Sequence, residues 1–373
     1  MSARPSVVIS TRLPPHICGI GTFSWLLHQH WPNDTSKVRF LVVEGAVESA
    51  AALDHRAISD FNAKAAELSR ALESAGDADV LLHYAARAYH PNGCPLWLPT
   101  VLAKWKAKHS GGRLLIFFHE LPGEFPIASW HYWIGRCNRR IIRELACLAD
   151  VIVTNTKDHV TKIEKISGRA DVHLIPVGSN IVAPDHLSSE KVSSEFVIFG
   201  LSFGRWQTLQ MFDSEIRTWQ KSGRLKRLHV IGPRDEKFDL RSEKLIAAWE
   251  DSSVITRHGM LTSADVSKLL AGAQFGLINA GVENWSKSTA FMAYASHGCA
   301  IVGKSIRDCS SPPPLCFIVS PDEVMTISHV DLKKRTQSMK DWYDQNADWD
   351  VIAREISGLS RSSGIPDMVQ HDG

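Results

Sequence analysis

The stretch SVITRHGMLTSADVSKLLAGAQFGLINAGVENWSKSTAFMAYASHGCAIVG, residues 253–303, carries the pattern that decides the fold. Three short aliphatic runs, SVITRHG (253–259), FGLINA (275–280) and CAIVG (299–303), read as strands. Helical periodicity fills 262–272 and 288–297 between them. Strands apolar on both faces belong in a parallel sheet covered by helices on each side. The same alternation runs outward from here. SVVIS (6–10), RFLVVEG (39–45), DVLLHY (79–84), RLLIFFHE (113–120), DVIVTN (150–155) and DVHLIPVG (171–178) are the strands expected in the first half. EFVIFG (195–200), RLHVIG (227–232) and CFIVS (316–320) join those of the second. Helices are expected near 22–31, 58–75, 96–108, 129–148 and 157–166, then near 205–221 and 240–250.

Residues 182–194 lose the periodicity and gain Ser, Pro and charge, which marks a linker. SSPPPL (310–315) reads as a rigid connector, and Asp350–Ser360 as a final amphipathic helix before a frayed tail. The expected organisation is α/β: parallel-sheet domains over 1–185 and 186–345, then a final helix and tail over 346–373. In such sheets ligands sit beyond the carboxyl ends of the strands, so a cleft between the domains is the expected binding place.

Composition narrows the function by exclusion. In 373 residues, 42 Lys+Arg stand against 40 Asp+Glu, and 44% of residues are hydrophobic. That apolar content excludes wholesale disorder, and a net charge of +2 gives no ground for a nucleic-acid partner. No apolar run reaches the roughly 18–20 residues of a membrane helix. The start, MSARPSVVIS, lacks a basic-then-apolar leader, so a cytoplasmic location is expected. The seven cysteines (18, 94, 137, 147, 299, 309 and 316) are scattered, with no CxxC, and read as free thiols. His16 with Cys18, and His28 with His30, lack partners at zinc spacing, so no metal is expected.

Three segments carry candidate chemistry. In CGIGTFSWLLHQH (18–30), Gly19 and Gly21 open a helix and Thr22 offers a first-turn hydroxyl. Small residues at a helix N-terminus admit a phosphate, though they also serve a merely tight loop. A dinucleotide fingerprint fits poorly. Eight residues separate Ser10 from Gly19, and Ser24 stands where the third glycine belongs, despite Glu44 near the usual acidic position. In FFHELPGEFP (117–126), His119 and Glu120 emerge from the carboxyl end of a strand, where α/β enzymes place functional side chains. A histidine donating to a backbone carbonyl beside a solvated glutamate is the plainer alternative.

The third segment, 279–298, puts Glu283, Lys287, Ser288 and Thr289 at the mouth of a helix. A cation there opposes the helix dipole unless an anion lies between it and the amides. Arg205, with Gly204 in FGLSFGRWQ, follows another strand, so two cations and two helix N-termini suit a diphosphate. The helix WHYWIGRCNRRIIRE (130–144) sets Trp130, Trp133, Ile134, Cys137 and Ile141 on one face and Arg136, Arg139, Arg140 and Arg143 elsewhere. It reads as a core helix with a basic solvent face, and also fits peripheral contact with the inner membrane face.

Taken in order, the motifs resemble nucleotide-sugar-dependent glycosyltransferases of the GT-B fold, in particular the retaining group 1 (family 4) set. RLPPHICGIGTFSWLL is similar to the family's glycine loop and helix, FFHELPG to its HE strand end, and HLIPVGSNI to its P-x-G-x-N segment. FVIFGLSFGRWQTL resembles the first strand and loop of the donor domain, and KSTAFMAYASHGCAIVG the helix and hGxPvV strand. The resemblance implies two facing Rossmann-like domains, a nucleotide-diphosphate-sugar co-substrate, a hydroxyl acceptor (glycan, lipid-linked saccharide or small molecule), no metal or resident cofactor, and retention. It implies diphosphate contacts from Gly19, Gly21, Thr22, Gly204, Arg205, Lys287, Ser288 and Thr289. His119 and Glu283 take the catalytic positions, with Glu120 and His16 on the acceptor side.

Two departures stand out. The family's second glutamate, eight positions after Glu283, is replaced by Phe291, or by Ala293 when aligned on Gly298. Trp206 and Gln207 occupy the place of the lysine that usually follows the arginine. A catalytically degenerate binding or scaffold subunit, or a sugar-nucleotide epimerase of the same fold, therefore stays open beside the transferase.

Overall fold

A computed structural model of the chain describes residues 6–32, 38–43, 57–123, 126–184, 191–281, 284–304 and 315–361. Glu44, Glu283, Cys309, the middle of the 182–194 segment and nearly all of SSPPPL lie outside the described residues. The chain divides into two compact units: Met1–Ile175 with Trp349–Gly373, and Pro176–Asp348. The change of unit thus falls about ten residues before 185/186, and the last helix belongs to the first unit.

The first unit is built on strands β1 (Ser6–Ser10), β2 (Arg39–Val43), β3 (Ala57–Phe61), β4 (Asp79–Tyr84), β5 (Leu114–Phe118), β6 (Val151–Thr154) and β7 (Val172–Leu174). They form a seven-stranded sheet in the order β3-β2-β1-β4-β5-β6-β7. Every pairing is parallel; Val8, for example, lies between Phe40 and Leu81. Its helices are α1 (Gly19–Gln29), α2 (Ala65–Glu73), α3 (Ala86–Tyr89), α4 (Trp97–Lys108), α5 (Trp130–Leu148) and α6 (Lys157–Ser167). Thr156 caps α6 by accepting from His159 N, and Gly168, at φ 77°, ends it in the left-handed region.

The second unit holds β8 (Val192–Phe199), β9 (Arg227–Ile231), β10 (Ile255–Gly259), β11 (Ala273–Leu277) and β12 (Ala300–Val302), parallel in the order β10-β9-β8-β11-β12. Its helices are α7 (Ser202–Met211), α8 (Asp213–Lys221), α9 (Glu236–Ile246), α10 (Ser263–Gly272), α11 (Thr289–Ser296), α12 (Glu323–Thr326) and α13 (His329–Asn346). Thr262 and Asp265 start α10 with a reciprocal cap: Thr262 Oγ1 donates to Asp265 Oδ2 at 2.7 Å and accepts from Asp265 N at 3.2 Å. Inside, Phe196 stacks on Phe275 at 4.7 Å and on Trp219 at 5.2 Å, and all three are fully buried. Each such side chain contributes about 1.5–3 kcal/mol of transfer free energy.

The strand order reverses between β1 and β4 in the first sheet and between β8 and β11 in the second. These are the places where open parallel sheets bind ligands. The chain closes with α14 (Trp349–Arg361), which lies against α1. Trp349 is buried edge-on to Phe23 at 5.1 Å, and Asp350 meets His30 Nδ1 at 2.7 Å.

Four expectations need correction. Residues 58–75 are not one helix: AISDF forms edge strand β3 before α2 begins. Residues 205–221 are two helices, α7 and α8, meeting at Phe212. CFIVS is a short 3-10 turn over Leu315–Phe317 plus a single bridge from Val319 to Val302. The 18-residue helix α13 was not expected; it buries only Leu332, Met339 and Tyr343, too sparse an apolar stripe to register as periodicity.

Candidate functional site

At the carboxyl end of β5, His119 is 6% exposed, with its backbone N–H donating to Tyr84 O at 3.0 Å. Its ring stacks on Phe117 at 4.4 Å with a 14° interplanar angle, and Phe23 meets it edge-on at 5.1 Å. Nε2 lies 2.9 Å from Nδ1 of His83, a fully buried residue of β4 that no sequence motif singles out. Burial holds both imidazoles well below their ordinary value; His83 and His159 press His119 further down, and His28 does the same to His83. His119 is therefore a neutral group in an aromatic sheath. Glu120, the next residue, is exposed.

The glycine loop has a steric origin at one of its two positions. A Cβ on Gly21 would sit 1.7 Å from the carbonyl oxygen of Arg12, so the first turn of α1 can pack there only without a side chain. Gly19 faces open space. Cys18 is the N-cap, its Sγ accepting from Gly21 N, and Thr22 sits in the first turn with its N–H on Cys18 O at 2.9 Å. His16 is exposed, close enough to Asp60 to oppose the upward push of burial on that carboxyl.

In the second unit the turns after β8 and β9 are locked to each other. Arg205 is 6% exposed and lies inside α7 rather than in a loop. Its Nη1 donates to Gly200 O and its Nη2 to Pro233 O, both at 2.7 Å, with Asp239 3.9 Å away. Burial pushes the guanidinium below its ordinary value, Asp239 pulls it back and Arg257 lowers it again. Gly232, at φ 145°, has no room for a side chain: its Cβ would lie 2.0 Å from Gly200 O and 2.2 Å from Arg205 Nη1. Arg205 lines a small pocket with Ser202, Gly232, Arg234, Asp239 and Arg257. Gly204 faces open space.

At the reversal point itself, the buried Tyr294 joins β8 to β11. Its Oη accepts from Phe199 N at 2.8 Å and lies 3.3 Å from Leu277 O. Asn279 donates to Gln207 Oε1 at 3.1 Å, so Gln207 ties α7 to the β11 end. Lys287 ends a 3-10 turn, Trp285–Lys287, anchored by Trp285 against Phe291 and Trp342. Its side chain is exposed and meets no carboxylate among the described residues. Ser288 caps α11 through Phe291 N at 3.3 Å, and Thr289 is the first helical residue. The structure thus gathers Lys287, Ser288 and Thr289 at one helix mouth, and sets Gly204 and Arg205 in the first turn of another.

No protein-family model and no curated protein matches the sequence. Solved structures do match in shape. HepE of Anabaena, crystallised with UDP and glucose, superposes with a TM-score of 0.66 at 12% identity, covering 95% of this chain and 99% of that one. A glycosyltransferase of Rickettsia africae gives 0.67 at 10% identity over 97% and 100%. The trehalose-6-phosphate synthase of Burkholderia multivorans gives 0.64 at 11% identity over 96% and 97%. The chain has the GT-B fold. At these identities the likeness establishes the GT-B fold and no more.

The neutral histidines make the first unit of this GT-B chain acid-sensitive. In the unfolded chain His83 and His119 take up protons below about pH 6.5, whereas in the fold burial keeps them neutral. Their contribution is therefore complete above about pH 6.5 and is lost as pH falls, by up to about 1.4 kcal/mol per unit for each. Urea midpoints at pH 7 and pH 5 should show this loss, and His119→Gln should flatten it. Equal midpoints at the two pH values would contradict it.

Proposed function

We propose that this chain is a glycosyltransferase that moves a sugar from a nucleotide-diphosphate sugar to a hydroxyl acceptor, without a metal and with retention. The observation that carries the reading is Lys287: an exposed cation, without a carboxylate partner among the described residues, beside the capped N-terminus of α11. A lysine is at home in solvent, but at a helix N-terminus it opposes the dipole, and a diphosphate between it and the amides would make the placement favourable. The amides of that helix, with Ser288, Thr289 and Lys287, stabilise the charge that develops on the departing nucleoside diphosphate. Arg205 and Gly204 add the first turn of α7. Glu283, outside the described residues, is assigned to the sugar hydroxyls by the sequence resemblance alone.

On the first unit, Gly19, Gly21 and Thr22 open α1; Gly21 N and Thr22 N already donate to Cys18, so a phosphate there would meet the Gly19 amide and the Thr22 hydroxyl. His119 takes the catalytic position, with Glu120 and His16 on the acceptor side. Being neutral, His119 acts as a hydrogen-bonding group toward the sugar or acceptor rather than as a cation. The presence of UDP and glucose in the HepE crystals supports the choice of donor class.

The test is thermal unfolding with UDP, GDP, ADP, TDP and CDP, each with and without EDTA. One diphosphate at about a hundredfold its dissociation constant should stabilise the protein by about 2.7 kcal/mol. The shift should survive EDTA and vanish in Lys287→Ala. No shift with any nucleotide would sink the transferase and favour a non-catalytic binding protein.

A second reading concerns location and rests on α5. Trp130 and Trp133 are 69% and 57% exposed, and Ile127 just before them is 68% exposed. The expected packing stripe is displaced: α5 buries Gly135, Asn138, Ile141, Ile142, Leu145 and Ala146 instead. Arg136, Arg140 and Arg143 are exposed on the same helix. Indoles beside guanidiniums match the headgroup layer of an anionic bilayer, so we propose peripheral attachment there. The protein should sediment with phosphatidylglycerol vesicles and not with phosphatidylcholine ones, and the double variant Trp130→Ser, Trp133→Ser should stay in the supernatant. Equal sedimentation of variant and parent would overturn this.

A further inference from the structure

The pair formed by His83 and His119 has one proton to share and a surrounding that decides where it sits. Both rings are buried, and 2.9 Å separates His83 Nδ1 from His119 Nε2. One nitrogen of this pair donates and the other accepts. The second nitrogen of His83, Nε2, is sealed from solvent and has no hydrogen-bond partner among the described residues. If the proton of His83 were on Nε2, an N–H would be buried with nothing to receive it. If it is on Nδ1, only a lone pair goes unmet. Orphaned buried donors are the rarer and costlier of the two.

We infer that His83 is a positioning residue: it donates from Nδ1 to His119 Nε2 and thereby fixes His119 as the Nδ1–H tautomer. A neutral histidine free in water favours the opposite form, with the proton on Nε2, so the partner reverses the intrinsic preference. Stacking on Phe117 and the edge of Phe23 hold the ring against rotation. Nδ1 is the ring nitrogen of His119 that the pair leaves uncommitted, and His119 keeps 6% of its surface exposed. What His119 can offer a ligand oxygen is therefore a hydrogen-bond donor, not a base.

The consequence for turnover rests on the transferase reading; the tautomer itself does not. Long-range proton–nitrogen correlation spectra of the ¹⁵N-histidine-labelled protein at pH 7.5 read the tautomer directly. His119 should carry its proton on Nδ1 in the parent and in His83→Asn, whose amide nitrogen can take the place of Nδ1. In His83→Leu, confirmed as folded by its amide spectrum, the proton should move to Nε2. A parent His119 protonated on Nε2, or a tautomer unmoved in folded His83→Leu, would overturn the inference. In transfer assays His83→Asn should keep kcat, while His83→Leu should lower it at least tenfold with the donor KM unchanged. Full activity in His83→Leu would also overturn the positioning role. An inactive parent would count against the transferase reading, while the spectra would still decide the tautomer.

Discussion

Arg205 donates to the carbonyl oxygens of Gly200 and Pro233, and the upper end of the second sheet is shaped around that grip. A buried guanidinium needs acceptors, and the turns after β8 and β9 supply them. In return those turns are drawn so close that Gly232 has no space for a Cβ. Tyr294 makes the matching connection on the other side of β8, tying it to β11 where the strand order reverses. With Arg205 committed to the backbone, any charge it offers a ligand comes from a fixed place. Lys287, exposed on its tryptophan-anchored turn, meets no carboxylate among the described residues.

The first unit solves a different problem. Its strand ends present no such cation grip among the described residues, but a pair of neutral histidines packed among Phe23 and Phe117. The closing helix α14 belongs to this unit, with Trp349 against Phe23, so the last described residues of the chain complete the packing behind the histidines.

Most of the strands and the parallel order were legible because buried parallel strands read as aliphatic runs. What failed had physical reasons. AISDF is a polar edge strand whose pattern merges with the helix after it, and α13 is held by three buried side chains and a Ser328–Asp331 cap. Among the site residues, Lys287, Ser288 and Thr289 were placed together by their position after a strand. The burial of Arg205, the histidine partner of His119 and the clash that makes Gly21 necessary depend on contacts between distant segments. No local pattern announces those. The exposed Trp130 and Trp133 went the other way: an aromatic stripe usually packs, and here the buried stripe of α5 is shifted around the helix.

The central claim is that the strand ends of the second unit hold a nucleoside diphosphate. Hydrogen–deuterium exchange with and without the most stabilising nucleotide tests it at the residues concerned. Exchange should slow over 200–205 and 285–292 in the parent, with no such slowing in Lys287→Ala. Protection confined to the first unit, or absent from both segments at saturating nucleotide, would contradict it.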